Sequence, residues 1–540
     1  MTPPTAGAAA PIAVLPAHYN AAADLLARNL AAGRAGKIAY LDDAASLTFA
    51  ELEQRSRRFA SALLEAGLRR EERLLLCALD TIDFPVAFLG CLLAGVVPVA
   101  VNTLLTADDY AYMLGHSGAR AVVVSEALVE RMRAAIGSTR TEPLMILAAP
   151  YAGAVPQGSV SALAATAPPL PEAAATGPDD IAFWLYSSGS TGRPKGTVHT
   201  HGNLFHTADL YARQVLGLRE DDVVFSAAKL FFAYGLGNAL TFPLAVGAAT
   251  VLMAERPTPA AVFQRLRAQR PTVFCGVPTL YAGMLAAQGL PAREEVALRV
   301  CTSAGEALPR DIGERFRARF GCDILDGIGS TEMLHIFLSN RPGEVRYGTT
   351  GKPVPGYRIK LLNEAGQPCA PGEIGDLYVM GPSAALMYWG NREKSRDTFV
   401  GAWTRSGDKY LCDAEGYYTY AGRSDDMLKV GGIYVSPFEV EAALAQHPAV
   451  LEAAVIGIED ADRLVKPKAF VVLRPGQQWH EGMAAELQAF VKSRLAPYKY
   501  PREIVCLEEL PKTATGKIQR FRLRERERPA PAASTPPGGA

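Results

Sequence analysis

The 540 residues are 49% hydrophobic and 20% charged, more apolar material than one core can use, so several domains with substantial interiors are expected. Lys plus Arg and Asp plus Glu number 55 each and neither sign runs in long blocks, which argues against a surface for nucleic acid or an anionic membrane. Eight cysteines without a Cys-x-x-Cys pair argue against a zinc ribbon or a disulfide framework and fit a reducing cytoplasm.

MTPPTAGAAAPIAVLP at the N-terminus has no Lys or Arg before Arg28 and reads as a loose arm, not as a basic targeting leader. Thr48-Phe-Ala-Glu51 is a capping box opening a helix whose Leu52, Phe59 and Leu63 share a face, with Gly67 placed to end it. FPVAFLGCLLAGVVPVAV, residues 84–101, is uncharged and approaches the length of a membrane span. Pro85, Gly90, Gly95 and Pro98 divide it into a short buried helix and a buried strand, and no basic loop flanks it. LLLCAL (74–79), AVVV (121–124), IAFWLY (181–186), VVFS (223–226), ATVLM (249–253), TVFC (272–275) and LRVCTS (298–303) are short apolar runs, mostly separated by helix-length segments. Fully apolar strands alternating with helices predict parallel sheets covered on both faces.

Beyond about residue 345 the strands GKPVPGYRIKLL, GEIGDLYVMG and GYYTYAG are punctuated by Gly and Pro and predict an antiparallel or barrel-like subdomain. From residue 425 a smaller α/β unit follows, with EVEAALAQHPAV and EGMAAELQAFVKSRLA helical and AAVIGI and KAFVVL strand-like. The tail ERERPAPAASTPPGGA has a disordered composition.

YSSGSTGRPKG, residues 186–196, follows an apolar strand and is built for an anion. Gly189, Gly192 and Gly196 allow close backbone approach, Ser187, Ser188, Ser190 and Thr191 offer hydroxyls, and Lys195 adds charge, so a polyphosphate is the natural guest. It is not a Walker A loop: Pro194 stands where the second Gly is required, and Gly196 separates Lys195 from Thr197. Alone, such a run is more often a flexible turn. Here DGIGSTE (326–332), GEIGDLYVMG (372–381), TRSGDKY (404–410), GRSDDMLKVGG (422–432) and PKTATGK (511–517) follow in order.

This ordered set, spanning nearly the whole chain, resembles the acyl-adenylate-forming superfamily of acyl-CoA synthetases, adenylation domains and firefly luciferase. Within it, GRPKGTVHTHGNL, KLFFAYGLGNAL and DGIGSTEMLHIF are most similar to the benzoate–CoA ligases. The resemblance implies an α/β fold: a large N-terminal domain (1–424) of two αβ-layered sheets with a barrel-like β subdomain (about 345–424), a small mobile α+β domain (425–527) and a disordered tail (528–540). It also implies the reaction. A carboxylate attacks the α-phosphorus of ATP, giving an acyl-adenylate and pyrophosphate, and the CoA thiol then displaces AMP.

The resemblance assigns roles as well. Residues 187–196 would clamp the β- and γ-phosphates, with Lys195 as a positive partner and Glu332, with Thr191, on the Mg²⁺ side. Asp326, Gly327, Ile328, Gly329, Ser330 and Thr331 would line the nucleotide, with Gly305 and Glu306 on the opposite wall. Ile328 departs from the Tyr or Phe of many relatives and offers adenine an aliphatic face. Asp408 would accept from both ribose hydroxyls beside Arg423. Lys517 would bind the substrate carboxylate and α-phosphate, and a rotation about Asp425 would then bring Lys429, Gly431 and Gly432 into its place around the pantetheine arm.

Phe232, Ala233, Tyr234, Gly235, Ala304, Gly327, Ile328, Gly329, His335 and Ile336 would form the acyl pocket, with Phe232 as an aromatic gate. Small and flat residues around one or two large ones suit a planar ring better than a flexible chain. His335 is expected to hydrogen bond a wall residue such as Tyr234. The expected partners are benzoate or a similar aromatic acid, ATP, CoA and Mg²⁺, acting on a cytoplasmic monomer or homodimer. Charging of a carrier protein, and ligation of another small acid, are the alternatives. Only 23 residues follow Lys517, too few for a carrier module.

Overall fold

The first expected helix forms over Phe49–Glu65, where the Thr48 hydroxyl accepts from the Glu51 N–H at 3.2 Å and the Glu51 carboxylate accepts from the Thr48 N–H at 2.8 Å. Gly67, at φ 93°, takes the left-handed conformation that ends it. These details belong to a computed structural model that describes residues 12–140, 142–187, 193–424, 426–430, 433–459, 465–495, 499–512 and 518–527. The expected tail, 528–540, and most of the expected arm, 1–11, lie outside the described residues.

Two large sheets carry the architecture. One has nine strands in the order Lys352–Pro353, Ile336–Ser339, Ile324–Gly329, Val300–Ser303, Val273–Gly276, Val223–Ser226, Ala249–Val251, Ile38–Leu41, Ser46–Thr48. Its neighbours from Ile324–Gly329 through Ile38–Leu41 run parallel, and the flanking strands at both edges are antiparallel. The other has seven strands, Met387–Tyr388, Lys195–Thr200, Ile181–Ser187, Val97–Ala100, Arg73–Cys77, Ala121–Ser125, Leu144–Ala148, with the last five mutually parallel. Phe225, Phe274, Tyr281 and Phe316 fill the core beside the first sheet, and Leu75, Val99, Val122 and Trp184 that beside the second. All are shielded from water, as fully apolar strands require.

The uncharged stretch 84–101 resolves as expected: helix Asp83–Ala94, buried along its whole length, Gly95 at φ 73°, then strand Val97–Ala100. Its 12 residues span about 18 Å, short of a bilayer core. Among the described residues no helix is long and apolar enough to cross a membrane. All eight cysteines are free thiols.

Further along, strands Arg358–Leu362, Gly375–Met380, Trp403–Cys412 and Phe399–Val400 lie side by side in that order, with Tyr418–Arg423 against Trp403–Cys412. The chain divides into two compact units, residues 1–372, 377–406 and 412–419, and residues 373–376, 407–411 and 420–540. Both large sheets belong to the first unit.

The second unit is built on strands Val450–Glu459 and Val465–Leu473, antiparallel, with Glu503–Cys506 parallel to the latter. Helices Pro437–Ala445 and Met483–Lys492 contribute Val440, Leu444, Leu487 and Val491 to its own core. Inside it, Glu441 accepts from the Val455 N–H at 2.7 Å and from Arg520 at 2.7 and 2.8 Å.

Candidate active site

The Ser/Gly loop leaves strand Ile181–Ser187 and returns along Lys195–Thr200 as its antiparallel neighbour, Ser187 opposite Lys195 and Tyr186 opposite Gly196. A Walker A loop instead feeds a helix N-terminus. Here the return element is a strand, and Lys195 is its first residue. Ser188, Gly189, Ser190, Thr191 and Gly192 lie outside the described residues.

Lys195 Nζ donates to the Tyr388 hydroxyl at 3.2 Å, which donates to Glu332 Oε1 at 2.6 Å. Lys195 Nζ stands 4.0 Å from that oxygen, and Ser187 Oγ donates to it at 3.4 Å. The two charged side chains are 18% and 15% exposed, shielded enough to interact strongly and open enough for an anion to compete.

His199 braces the loop that carries Glu332. Its Nε2 donates to the Thr331 carbonyl at 2.8 Å, so Nδ1 is the acceptor and takes the Asn203 amide at 2.8 Å. Burial pulls its pKa down to about 4, which keeps the ring neutral and this tautomer in place. Ser330 Oγ accepts from the Met333 N–H at 3.2 Å, and the Thr331 carbonyl also takes the Leu334 N–H at 3.2 Å. Leu334 sits at φ 64°, a left-handed conformation uncommon outside glycine, and turns the chain toward His335.

The nucleotide-wall candidates Asp326, Gly327, Ile328 and Gly329 form the end of one strand, Ile324–Gly329. Burial raises the Asp326 carboxyl well above its usual range, and its main-chain carbonyl accepts from the Asn340 N–H at 2.9 Å. A side chain at Gly329 would place its Cβ 2.6 Å from the His335 carbonyl carbon and oxygen, so only glycine allows this approach. Ala304 is buried and Gly305 turns at φ 92° just beyond strand Val300–Ser303, while Glu306 accepts from Thr279 Oγ1 at 2.9 Å.

Among the acyl-pocket candidates, Phe232 leads into the short helix Ala233–Leu236. The Tyr234 hydroxyl meets Thr302 Oγ1 at 2.6 Å, and His335 Nε2 donates to the Tyr234 carbonyl at 3.2 Å. The expected link between His335 and Tyr234 therefore forms through the backbone, not the phenol. The His335 ring lies 4.4 Å from Phe242, 5.3 Å from Tyr211 and 5.6 Å from Tyr234, centroid to centroid. It is 2% exposed, and burial pulls its pKa down to about 3. Tyr211, Phe242 and Ile336 are buried as well, so the surroundings of His335 are apolar and uncharged.

In the second unit, Arg423 donates to Asp408 Oδ1 at 2.9 Å. Lys429 lies in strand Leu428–Val430, paired with Ile433–Val435, its side chain outside the described part. Lys517, Asp425, Gly431 and Gly432 also lie outside the described residues.

The model of the AMP-binding enzyme family matches residues 27–389, and that of the AMP-binding enzyme C-terminal domain matches residues 439–517. The chain belongs to the AMP-binding enzyme family. It is 62% identical over 516 residues to a benzoate–CoA ligase of Thauera aromatica, covering 95% of this chain and 97% of that one. A 4-hydroxybenzoate–CoA/benzoate–CoA ligase of Rhodopseudomonas palustris is 50% identical over 516 residues, covering 94% of each. Among solved structures, a benzoate CoA ligase from Burkholderia xenovorans LB400 is 63% identical with a TM-score of 0.88, covering 94% of this chain and 100% of that one. An anthranilate CoA ligase in complex with anthranoyl-AMP is 43% identical with a TM-score of 0.90, covering 95% and 98%.

Three side chains of this AMP-binding enzyme escaped the motif reading: Tyr388, His199 and Thr302. Tyr388 meets Lys195 across 193 positions of chain, and His199 meets Thr331 across 132. Local spacing does not record pairings of that range. The strand register does, because Tyr388 pairs with Thr197 on the strand that Lys195 opens.

The oxygen donors also bear on Mg²⁺. Mg²⁺ is commonly bound by one or two carboxylates with phosphates and waters, and the Glu332 carboxylate is a donor of that kind. Among the described residues there is no cluster of three or more His, Cys, Asp or Glu side chains suited to a metal.

Proposed function

We propose that this AMP-binding enzyme is an ATP-dependent benzoate–CoA ligase, converting benzoate, ATP and CoA to benzoyl-CoA, AMP and pyrophosphate. The observation that carries the reading is 62% identity across 97% of a benzoate–CoA ligase, joined to a neutral, aromatic-lined wall around His335. Benzoate is a poor electrophile because its negative charge repels nucleophiles. Its carboxylate oxygen attacks the α-phosphorus, the bond to pyrophosphate breaks, and the adenylate gives the carbonyl a leaving group.

Lys195 stabilises the negative charge of the β- and γ-phosphates at the mouth of the hairpin, drawing on the chain through Tyr388 to Glu332. Glu332 would hold Mg²⁺, with Thr191 nearby, and the ion would neutralise phosphate oxygens. Asp408 accepts from the ribose hydroxyls, with Arg423 orienting it. Lys517 draws the carboxylate and α-phosphate together. For the second half-reaction the domain 425–527 rotates about Asp425 and brings Lys429, Gly431 and Gly432 to the CoA channel, where the thiol displaces AMP. The reaction takes place in the cytoplasm, a reading supported by the eight free thiols, which a reducing compartment keeps reduced.

An acid panel tests the substrate. Pyrophosphate release and thioester formation should give a kcat/KM for benzoate above those for acetate and hexanoate. A higher value for either aliphatic acid contradicts the aromatic reading. Omitting CoA in favour of carrier proteins separates the ligase from a carrier-charging enzyme.

A further inference from the structure

The segment bearing the acyl-pocket candidates begins at Lys229, a cation only 14% exposed that no step above uses. Its Nζ donates to the Glu255 carbonyl at 2.8 Å and to the Met253 carbonyl, and stands 4.0 Å from Asp80 Oδ2. Asp80, 2% exposed, lies just beyond strand Arg73–Cys77 of the seven-stranded sheet. Lys229 lies just beyond strand Val223–Ser226 of the nine-stranded one. Both oxygens of Asp80 accept from the Leu230 N–H, each at 3.3 Å. The pair thus spans from one sheet to the other at the root of the acyl wall.

The main chain continues the constraint. The Lys229 carbonyl accepts from the Phe232 N–H at 3.0 Å, and a Cβ on Gly235 would stand only 2.0 Å from that carbonyl oxygen. Phe232, Ala233 and Tyr234 are therefore folded directly over Lys229. The charged surroundings are Glu255, joined to Arg265 at 2.6 Å, and Asp43, joined to Arg265 at 2.6 Å. Burial pushes the Asp80 carboxyl up to about 6, against the pull of Lys229, and lowers the Lys229 ammonium. Buried charges of this kind cost desolvation free energy that an apolar pair would not, which invites a role beyond stability.

We propose that Lys229 and Asp80 are positioning residues for the acid substrate: the buried pair sets where Phe232, Ala233 and Tyr234 stand relative to the second sheet and so fixes the width of the acyl pocket. The inference rests on the aromatic-acid reading of that pocket and concerns benzoate alone, since the phosphate hairpin is held by other contacts.

Asp80→Asn keeps an acceptor for the Leu230 N–H while removing the charge, Lys229→Met removes the ammonium, and the double variant restores neutrality if either single variant fails to fold. In each folded variant the KM for benzoate should rise about tenfold, a modest misplacement of the wall. The KM for ATP should change less than about twofold. Discrimination between benzoate and a ring-substituted benzoate should narrow, and direct benzoate binding should weaken in parallel. An unchanged benzoate KM, or equal rises for benzoate and ATP with a fall in kcat, overturns the positioning role. If the unaltered enzyme does not use benzoate at all, the substrate reading fails instead, and the two failures stay distinct.

Discussion

The Tyr388 hydroxyl accepts from one charged group and donates to the other, passing 3.2 Å to Lys195 and 2.6 Å to Glu332. Removing it in Tyr388→Phe leaves the ring and its packing against Phe399, at 5.4 Å, in place. Stability should fall by about 1.5–3 kcal/mol, the worth of a hydrogen bond to a charged group. Pyrophosphate release should fall about tenfold or more, because hydrogen bonds to charged groups are stronger than neutral ones. Calorimetry and the pyrophosphate assay check the two figures. A loss confined to the KM for benzoate would place Tyr388 in the acyl pocket and contradict the phosphate-side role.

His199 and His201 titrate at about 4 in the folded chain and His335 at about 3, each lowered first by burial. The unfolded chain takes up these protons near 6.5. The folded pKa values are therefore depressed, the unfolded state binds more protons below 6.5, and stability falls as pH drops from 6.5 toward 4. For His199 the span amounts to roughly 3 kcal/mol. The raised Asp80 and Asp326 carboxyls act in the opposite sense, so the histidine contribution is read by difference: between pH 6.5 and 4 the unaltered protein should lose more melting temperature than His199→Asn does. Identical profiles for the two proteins contradict burial of a neutral ring at His199.

At the scale of elements, glycine decides how closely the helix Ala233–Leu236 packs on the chain that leads into it. Gly235→Ala would drive a methyl group to within 2.0 Å of the Lys229 carbonyl oxygen, where backbone must move. A destabilisation of about 1–3 kcal/mol is expected, with loss of benzoate binding ahead of ATP binding. Titration of both ligands against the folded variant tests this, and equal retention of both contradicts the packing argument.

Much of this level was legible from sequence. The capping box at Thr48 and the strand Val223–Ser226 depend on residues close together in the chain, so composition and spacing record them. The antiparallel return at Lys195–Thr200 was not legible, because a Ser/Gly loop reads alike whether a helix or a strand follows it. Nor was the orientation of His335. Its partner is the Tyr234 carbonyl, and every residue offers a carbonyl, so side-chain identity carries no signal there.

At the scale of the whole molecule, the candidates for the adenylation step are divided between the two units, and those for thioester formation lie in the second. Lys195, Glu332 and His335 lie in the unit built on the two large sheets, whereas Asp408, Arg423, Lys429 and Lys517 fall within the residues of the second. The most direct measurement is therefore made on Lys517→Ala, comparing benzoate-dependent pyrophosphate release with conversion of supplied benzoyl-adenylate and CoA to thioester. The account predicts that the first is lost, by about a thousandfold or more, while the second proceeds at close to the unaltered rate. Equal loss of both steps, or undiminished pyrophosphate release, would contradict it.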